Sequence, residues 1–224
     1  MFESLTLSNI SKKQCGILRK PTNSSPTVWR IEENGVKAIV KDFHYNSFWY
    51  RNVVGRFLIW REEKAYRRLK GLPGVPNFFK NIEGLALVIE EVQGTDIETR
   101  EIAAGLDYRF YNDLNTLINN IHERGLAHCD LKRAPNIILG NDGKPYIVDW
   151  AASISKREFR FFPFNLIYKR FLQDDMNAIT KLKLKFLPES VSKEEKQLYL
   201  NRSRTEKTIR KIRNFCRDSL KKIA

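Results

Sequence analysis

A run of residues past the middle of the chain combines side chains that could carry out phosphoryl transfer. Asp130, Asn136 and Asp149 lie within twenty residues of one another, and Asp149 follows the apolar run Tyr146-Ile147-Val148. Phosphoryl transfer needs a carboxylate that orients or deprotonates the attacking hydroxyl, and two oxygen ligands that hold magnesium against the phosphates. Asp130 could supply the carboxylate, and Asn136 with Asp149 could supply the ligands.

Two basic residues, Lys132 and Arg133, follow Asp130 closely and could neutralise a transferring phosphoryl group. The sequence leaves open which of the two makes that contact. Asp149 is costly to bury beside an apolar run unless it has a partner, and a metal ion would provide one. We therefore predict that Asn136 and Asp149 hold Mg²⁺ or Mn²⁺.

Other metal chemistry is not indicated. The chain has three cysteines and three histidines, without a Cys-x-x-Cys pair or a histidine spacing typical of metal ligands. Such isolated cysteines are typical of reduced thiols in a cytosolic protein, and we expect no zinc site. No basic region followed by an apolar run opens the chain, and no stretch of about 18 apolar residues occurs, so neither a signal peptide nor a membrane-spanning helix is expected.

The first half of the chain predicts a sheet with one long helix. Strands are predicted over residues 14–43, with a hairpin at Asn34-Gly35 between two runs rich in β-branched residues. A helix is predicted over residues 45–70, because apolar positions recur there at helical spacing. Residues 85–89 predict a further strand.

The second half predicts helices around one hairpin. A helix is predicted where residues 114–121 present an apolar face, and two short strands are predicted over residues 136–139 and 145–148, joined by a turn rich in Asn, Asp and Gly. The remainder predicts increasingly basic helices. The change from strands to helices near Gln93-Gly94 predicts a hinge, and hence an α+β fold with two lobes.

The order of these motifs resembles that of protein kinases. His128-Cys129-Asp130 with Asn136 resembles the catalytic loop, and Asp149-Trp150-Ala151 resembles the Asp-Phe-Gly motif. The resemblance covers roughly residues 14–185 and is similar in form to compact bacterial kinases related to the RIO-type and lipopolysaccharide-core (Kdo/heptose) kinases. It implies a two-lobed protein-kinase-like fold. Because no Ala-Pro-Glu follows, the activation segment and the peptide-binding subdomain are expected to be missing.

The resemblance also implies a site for ATP. Lys41, at the end of Ala38-Ile39-Val40-Lys41, resembles the strand lysine that binds the α- and β-phosphates, and Glu62 resembles the helix glutamate that pairs with it. Glu62 is preferred over Glu63, because Glu62 shares the apolar face of the predicted helix with Tyr66. Glu63 lines up with basic residues and is expected to face water.

The remaining nucleotide contacts are implied with less sequence support. The backbone of Glu90 and Val92 resembles the hinge that hydrogen-bonds adenine. The glycine-rich phosphate loop of protein kinases is missing, so residues 20–26 would have to cover the phosphates, with Ser24 and Ser25 donating backbone N–H groups.

The catalytic loop departs from the kinase pattern in its length. Asp130 and Asn136 are six positions apart, and the usual kinase spacing is five, so the loop must absorb one residue. His128 is expected to brace this loop and not to act in acid–base chemistry. Two roles stay open for Asp175: it could brace the loop from a later helix, or it could be a charge at the N-terminus of that helix.

The charge of the chain predicts an anionic partner. Net charge is +14, and the last 24 residues hold nine Lys or Arg against two acids. Such a balance favours nucleotides, an anionic membrane surface or nucleic acid, of which nucleic acid is less favoured here. A basic C-terminal helix over residues 201–224 could lie on anionic lipid. We expect a cytoplasmic protein, with a peripheral position on the inner face of the membrane as an alternative.

The sequence therefore predicts a single kinase-like domain over residues 1–224, with a β-rich lobe over 1–92, a mostly helical lobe over 93–200 and a basic helix over 201–224. The predicted activity is ATP- and Mg²⁺-dependent phosphotransfer to a hydroxyl of unknown identity. The acceptor could be a protein Ser or Thr, or a sugar of a membrane glycolipid. The alternative is a pseudokinase, a nucleotide-binding scaffold without turnover.

Overall fold

The computed structural model describes residues 1–98, 105–162 and 164–200. Two compact units divide these residues. The first unit comprises residues 1–70 and 76–91, and the second comprises residues 71–75 and the described residues from 92 onward. The predicted basic helix over residues 201–224 lies outside the described part of the chain.

The first unit is built on an antiparallel sheet. Its strands are β1 (Gln14–Arg19), β2 (Thr27–Glu33), β3 (Val36–Asp42), β4 (Phe78–Ile82) and β5 (Ala86–Glu90). They lie in the order β1-β2-β3-β5-β4. The predicted hairpin is confirmed: Glu33 pairs with Val36, and both Asn34 (φ 52°) and Gly35 (φ 77°) adopt the positive φ that such a tight turn requires.

The helices of this unit are α1 (Ile10–Lys13) and α2 (Arg56–Arg68), and a π-helical turn, Tyr50–Gly55, leads into α2. Helix was predicted from residue 45, but residues 44 and 45 form a turn, and the Asn46 side chain there bonds to backbone carbonyls. The π-helical turn packs closely on Phe43, because a Cβ on Gly55 would lie 3.0 Å from the Phe43 side chain.

The core of the first unit lies between the sheet and the N-terminal segment. Alternate residues of the central strands are buried, among them Ile31, Ala38 and Val40, and they pack with Phe2 and Ile10. This alternation is the expected pattern of a sheet with one covered face. It fixes the register of β3, and so the side of the sheet on which each residue of β3 lies.

The second unit is mostly helical and contains short strands. Its helices are α3 (Tyr108–Glu123), α4 (Phe164–Phe186) and α5 (Lys193–Leu200). Its strands are β6 (Gly94–Asp96), β7 (Leu126–Ala127), β8 (Ile137–Gly140), β9 (Pro145–Ile147) and β10 (Ile154–Ser155). β6, β8 and β9 form one antiparallel sheet, and β7 pairs with β10.

The predicted helix and hairpin of this unit are confirmed. α3 begins at its N-cap Asp107, whose carboxylate accepts from Phe110 N at 2.9 Å, and the chain leaves it at Gly125 with φ 73°. The hairpin joins β8 to β9 and places the Asp130 loop before it and Asp149 after it.

Four strands were not predicted, β4, β6, β7 and β10, and the first two have a physical reason. β4 shows no clear alternation of buried and exposed residues, because the Lys80 side chain donates to the backbone carbonyls of Glu3 and Leu5 and is itself half-buried. β6 opens on Gly94, where a hinge was predicted. A Cβ on Gly94 would lie 2.2 Å from the Leu139 carbonyl oxygen, so only glycine allows this approach.

Within the described residues, no helix is long and apolar enough to cross a membrane.

Candidate active site

Lys41 and Glu62 form a nearly buried ion pair in the first unit. Lys41 lies on β3 and Glu62 on the inner face of α2, and Lys41 Nζ is 2.6 Å from Glu62 Oε1. The side chains are 14% and 3% exposed, so both charges depend on one another for compensation. The pair fixes the ammonium of Lys41 in one position on the sheet. The predicted pairing is thereby confirmed.

Glu63 takes a different role from Glu62, as the helical face predicted. Its carboxylate is 2.7 Å from Arg67 Nη2 and accepts from the Asn81 side chain. It is half-buried between those partners, so the expectation that Glu63 faces water is wrong. Glu63 therefore ties α2 to β4, and Glu62 is the glutamate that meets Lys41.

The segment proposed to cover phosphates is tied to the start of the helical segment. Tyr50 Oη donates to Ser24 O at 2.9 Å, and Asn46 Nδ2 donates to Thr22 O at 2.7 Å and to Ser25 O at 3.1 Å. The backbone N–H of Ser25 donates to Thr22 O at 3.4 Å. The turn is therefore ordered by side chains that sequence reasoning did not identify, and the Ser25 amide already has a weak acceptor within it.

The two predicted adenine contacts lie where the chain leaves the first unit. Glu90 ends β5, and its N–H donates to Asn77 O at 2.8 Å. Its carboxylate accepts from both the backbone and the side-chain N–H of Asn77, at 3.0 and 2.7 Å. Val92 begins the second unit and is half-buried. Glu90 is thus held from the Asn77 side by three hydrogen bonds.

Asp42, the residue after Lys41, is a buried carboxylate that the sequence did not reveal. It is fully buried and accepts from Trp29 Nε1 at 3.2 Å and from His44 N at 2.8 Å. Desolvation raises the pKa of Asp42, against the lowering effect of these two hydrogen bonds. The end of β3 is therefore fixed by a carboxylate that is harder to ionise than usual.

In the second unit, Asp175 fixes the backbone before Asp130. Its carboxylate accepts from His128 N at 2.7 Å and Cys129 N at 2.9 Å, and lies 3.2 Å from His122 Nε2. It is 1% exposed and is the twelfth residue of α4. The bracing role is therefore confirmed. The alternative, a charge at the helix N-terminus, is wrong, and His122 gains a partner that the sequence did not suggest.

Asp149 itself, and Cys129 just before Asp130, have a strained backbone. Cys129 has φ 69° and Asp149 has φ 67°, in the left-handed region that side chains usually avoid. Each such residue costs roughly 1–2 kcal/mol. Cys129 is held there by its hydrogen bond to Asp175, so the strain turns the chain sharply just before Asp130.

His128 braces the loop through both ring nitrogens, as predicted. Its Nδ1 accepts from Asp130 N at 3.3 Å, so the ring proton lies on Nε2, which is 3.0 Å from Val148 O. The ring is buried and meets Trp150 edge-on at 4.7 Å. His128 therefore links the Asp130 loop to the segment that carries Asp149, and Trp150 fills the space behind it.

Asn136 joins the same two segments. Its side-chain Nδ2 donates to Asp130 O, and its backbone carbonyl accepts from Val148 N, both at 3.0 Å. The extra residue of the loop is taken up by a 3₁₀ turn, Ala134–Asn136. Asp130, Asn136 and Asp149 are therefore held together by backbone and side-chain bonds within one unit.

The two basic residues of the loop have different neighbours. Lys132 Nζ lies 3.8 Å from an Asp174 carboxylate oxygen, and Arg133 Nη1 lies 3.6 Å from Asp130 Oδ2. The Arg133 side chain is 68% exposed and that of Lys132 is 28% exposed. Asp174, which also pairs with Arg170, was not identified from the sequence.

The donor set of this loop fits a magnesium ion that is completed by phosphate and water oxygens. The Asn136 amide nitrogen donates to Asp130 O, so its amide oxygen is the atom that can ligate, and Asp149 adds a half-buried carboxylate. Magnesium is usually bound through one or two protein oxygens in this way. Among the described residues there is no group of three or more His, Cys, Asp or Glu placed to hold a metal by itself.

The chain is similar to solved structures of a known kinase. The crystal structure of the Rio2 kinase from Chaetomium thermophilum aligns with a TM-score of 0.59 at 17% identity, over 92% of this chain and 76% of that one. The Rio2 kinase-ADP/Mg²⁺-phosphoaspartate complex from the same organism aligns with a TM-score of 0.56 at 17% identity, over 86% of this chain and 63% of that one. This chain thus spans less than two thirds of the second structure.

The comparisons at the level of sequence find no relative. No family model matches the chain, and no curated protein matches it. The relation to bacterial and lipopolysaccharide-core kinases stays a prediction. What the structural similarities show is that this chain has the protein-kinase-like fold.

Proposed function

We propose that the chain is an ATP- and Mg²⁺-dependent phosphotransferase that moves the γ-phosphate of ATP to an acceptor hydroxyl. The observation that supports this most is the Asp130 loop, in which Asn136 bonds to Asp130 O and to Val148 N at 3.0 Å. This places a carboxylate, an amide oxygen and Asp149 in one braced unit. The similarity to a kinase solved with ADP and Mg²⁺ supports the same activity.

The residues of the second unit would handle the acceptor and the metal. The Asp130 carboxylate would orient the attacking hydroxyl and accept its proton. Asn136 and Asp149 would hold Mg²⁺, which when bound neutralises the phosphate oxygens. Lys132 and Arg133 would add positive charge beside the transferring group.

Residues of the first unit, together with Val92 at the start of the second, would hold the nucleotide. Lys41, which Glu62 holds at 2.6 Å, would pair with the α- and β-phosphates through its ammonium group. The Glu90 carbonyl and the Val92 amide would bond to adenine. The turn with Ser24 and Ser25 would lie over the phosphates, with the Ser24 amide as the better donor, because Ser25 N already donates to Thr22 O.

Thermal unfolding with and without nucleotide tests the proposal. A ligand at about 100 times its Kd stabilises the folded state by about 2.7 kcal/mol. For a chain of this size that is a rise in Tm of roughly 5–10 °C. We expect this rise with ATP and MgCl₂ together, and a smaller one with ATP and EDTA. No rise with ATP and Mg²⁺ would refute the proposal.

Two substitutions separate the roles of the carboxylates. Asp130→Asn is expected to keep the Tm rise and to lose transfer of labelled γ-phosphate by about 10² or more. Asp149→Asn is expected to lose the Mg²⁺-dependent part of the Tm rise. Equal behaviour of the two variants would contradict these roles. A wild type that is stabilised by ATP but never transfers phosphate would instead support the pseudokinase alternative.

For the acceptor we propose the hydroxyl of an anionic, membrane-associated glycolipid in preference to a protein Ser or Thr. Phe161 and Phe162, 67% and 78% exposed, follow Asp149 in the same unit, and the Arg160 guanidinium lies 4.6 Å from the Phe161 ring centre. Exposed aromatic and basic side chains suit an amphipathic, anionic substrate. Label transfer to extracted glycolipid, compared with transfer to a protein extract, decides between the two classes. A peripheral position on the inner face of the membrane would follow from this choice.

A further inference from the structure

The helical segment that carries Glu62 also presents an aromatic surface that the proposed chemistry does not use. We define the α2 aromatic surface as five residues: Phe48, Trp49, Val53, Phe57 and Trp60. They are 50–71% exposed, whereas Glu62 and Tyr66 on the other face of α2 are buried. Trp49 and Val53 precede α2, and Phe57 and Trp60 lie on it. The four residues recur at spacings of four, four and three, so they lie along one side of this helical segment.

The members of this surface contact one another in pairs. The rings of Phe48 and Trp49 are 5.6 Å apart, and those of Phe57 and Trp60 are 5.9 Å apart. Single exposed apolar residues are normal on a soluble protein, but a contiguous aromatic group marks an interaction site. We therefore expect the α2 aromatic surface to bind a partner.

Basic groups lie directly against these rings. The Arg51 guanidinium is 5.7 Å from the Phe48 ring centre, and the Arg61 guanidinium is 5.5 Å from the Phe57 ring centre. Lys64 Nζ lies 5.0 Å from the Trp60 ring centre. The surface thus combines apolar rings with positive charge at the same place.

The charge of the surrounding segment indicates the sign of the partner's charge. Residues 43–70 contain seven Lys or Arg and two acids, Glu62 and Glu63. Those acids are engaged with Lys41 and Arg67. The partner must therefore be anionic, which disfavours a second copy of the same surface. It also disfavours residues 201–224 of this chain, which carry nine Lys or Arg.

We propose that the α2 aromatic surface docks the protein on an anionic lipid bilayer. Trp is enriched where membranes meet water, because its ring is apolar and its N–H is polar. Phe and Val enter the acyl boundary from a helix that lies in the plane of the interface, and Lys and Arg reach the lipid phosphates. This docking depends neither on turnover nor on residues 201–224.

The chain carries a built-in reporter of this contact. Of its four tryptophans, Trp29 and Trp150 are buried at 7% and 0% exposure, whereas Trp49 and Trp60 are 71% and 50% exposed. A change in tryptophan emission on binding therefore arises from the α2 aromatic surface.

The experiment uses the full chain with vesicles of phosphatidylcholine, with and without phosphatidylglycerol. We expect cosedimentation with the anionic vesicles, a blue shift of tryptophan emission, and quenching by lipids brominated on the acyl chain. Trp49→Gln with Trp60→Gln should weaken binding at least about tenfold, because each ring loses an apolar contact. The matched control is Tyr108→Gln with Leu198→Gln, which removes apolar residues of 56% and 59% exposure elsewhere and should leave binding unchanged.

Two further variants separate the parts of the surface. Trp49→Phe with Trp60→Phe should keep most of the binding and lose the blue shift, since aromatic area remains. Arg61→Gln and Lys64→Gln should each weaken binding about fivefold and reduce its salt dependence. Each variant is used only if its unfolding midpoint matches the wild type.

Several results would overturn the proposal. The first is that the wild type does not bind anionic vesicles. The second is that it binds them, but that the Trp49 and Trp60 substitutions leave the binding unchanged whereas deletion of residues 201–224 abolishes it. A dimer that those substitutions dissociate, or tighter binding of single-stranded RNA than of vesicles, would also overturn it. The Tm rise with ATP, measured on the same samples, reports on the proposed enzyme activity separately.

Discussion

Asp175→Asn is the substitution that best tests how the Asp130 loop is held. The Asp175 carboxylate accepts two consecutive backbone N–H groups, from His128 and Cys129, at 2.7 and 2.9 Å. An asparagine keeps one oxygen for one of these donors. Its NH₂ group would face the other donor, so one buried N–H loses its acceptor and two donors meet.

The size of the effect follows from these bonds. A hydrogen bond to a charged group contributes about 1.5–3 kcal/mol, and a buried N–H without an acceptor costs about 1–3 kcal/mol. We therefore expect a loss of about 2–4 kcal/mol in the free energy of unfolding, which is large against a total stability of about 5–15 kcal/mol. The strained backbone of Cys129, at φ 69°, also loses the bond that holds it.

Urea titrations followed by tryptophan fluorescence measure this loss, because Trp150 is buried against the His128 ring at 4.7 Å. The matched control is Asp174→Asn, which removes the same charge one position earlier. Asp174 makes side-chain ion pairs with Arg170 at 3.1 Å and Lys132 at 3.8 Å, and its asparagine variant keeps one acceptor oxygen for them, so we expect a smaller loss than for Asp175→Asn.

A second readout separates positioning from simple stability. Asp175→Asn should retain the Tm rise with ATP and Mg²⁺, because the proposed ligands Asn136 and Asp149 are intact, while phosphate transfer falls at low temperature where the variant is folded. If the unfolding free energy stays within about 0.5 kcal/mol of the wild type, the carboxylate does not hold the loop and the reasoning is refuted.

Three further outcomes follow from buried polar groups. Lys41→Met and Glu62→Gln should show a coupling of about 1–3 kcal/mol in a double-mutant cycle of unfolding free energies, and additive effects would contradict the pairing. Tyr111→Phe should leave stability unchanged or raise it by about 1 kcal/mol, because burial raises the pKa of Tyr111 to about 12 and its hydroxyl has no hydrogen-bond partner among the described residues; a clear loss of stability would reveal a partner. Desolvation raises the pKa of Asp42 above 3.8, so its protonated form favours folding at low pH and this contribution is lost as the pH rises through the folded-state pKa. Urea titrations from about pH 4 to pH 7 should therefore show the wild type losing stability relative to Asp42→Asn, and parallel curves would argue against the shift.

The features that sequence reasoning predicted are those encoded by neighbouring residues. Asn34-Gly35 marks a hairpin by itself, since both residues tolerate positive φ, and the structure places both there. Glu62 could be chosen over Glu63 because helical spacing puts only Glu62 on the apolar face. The order of Asp130, Asn136 and Asp149 around a short hairpin also needs only local pattern.

The features that were missed, or left open like the role of Asp175, depend on contacts between distant residues. Asp175 meets His128 across 47 positions, and no local pattern distinguishes it from Asp174, which points to other partners. Asn46 orders the turn at Thr22 in the same way, 24 positions away. Such pairs are set by how helices pack on loops, which a single sequence does not reveal.

The short segment Gly71–Val75 has a consequence for how the chain folds during synthesis. It belongs to the second unit although it precedes β4 and β5 of the first. Gly74 O accepts from Ile147 N at 2.8 Å, and Gly74 packs so closely that a Cβ would lie 2.6 Å from Leu117.

During translation at about 5–20 residues per second, Gly74 is added to the chain roughly 4–15 s before Ile147. During this interval the Gly74 carbonyl has no Ile147 N–H from which to accept a hydrogen bond. Neither unit can be produced as one uninterrupted fragment, and a cut at the boundary between Glu91 and Val92 would leave β9 without the Gly74 carbonyl. The two fragments that result from such a cut are expected to form the native structure only when they are mixed.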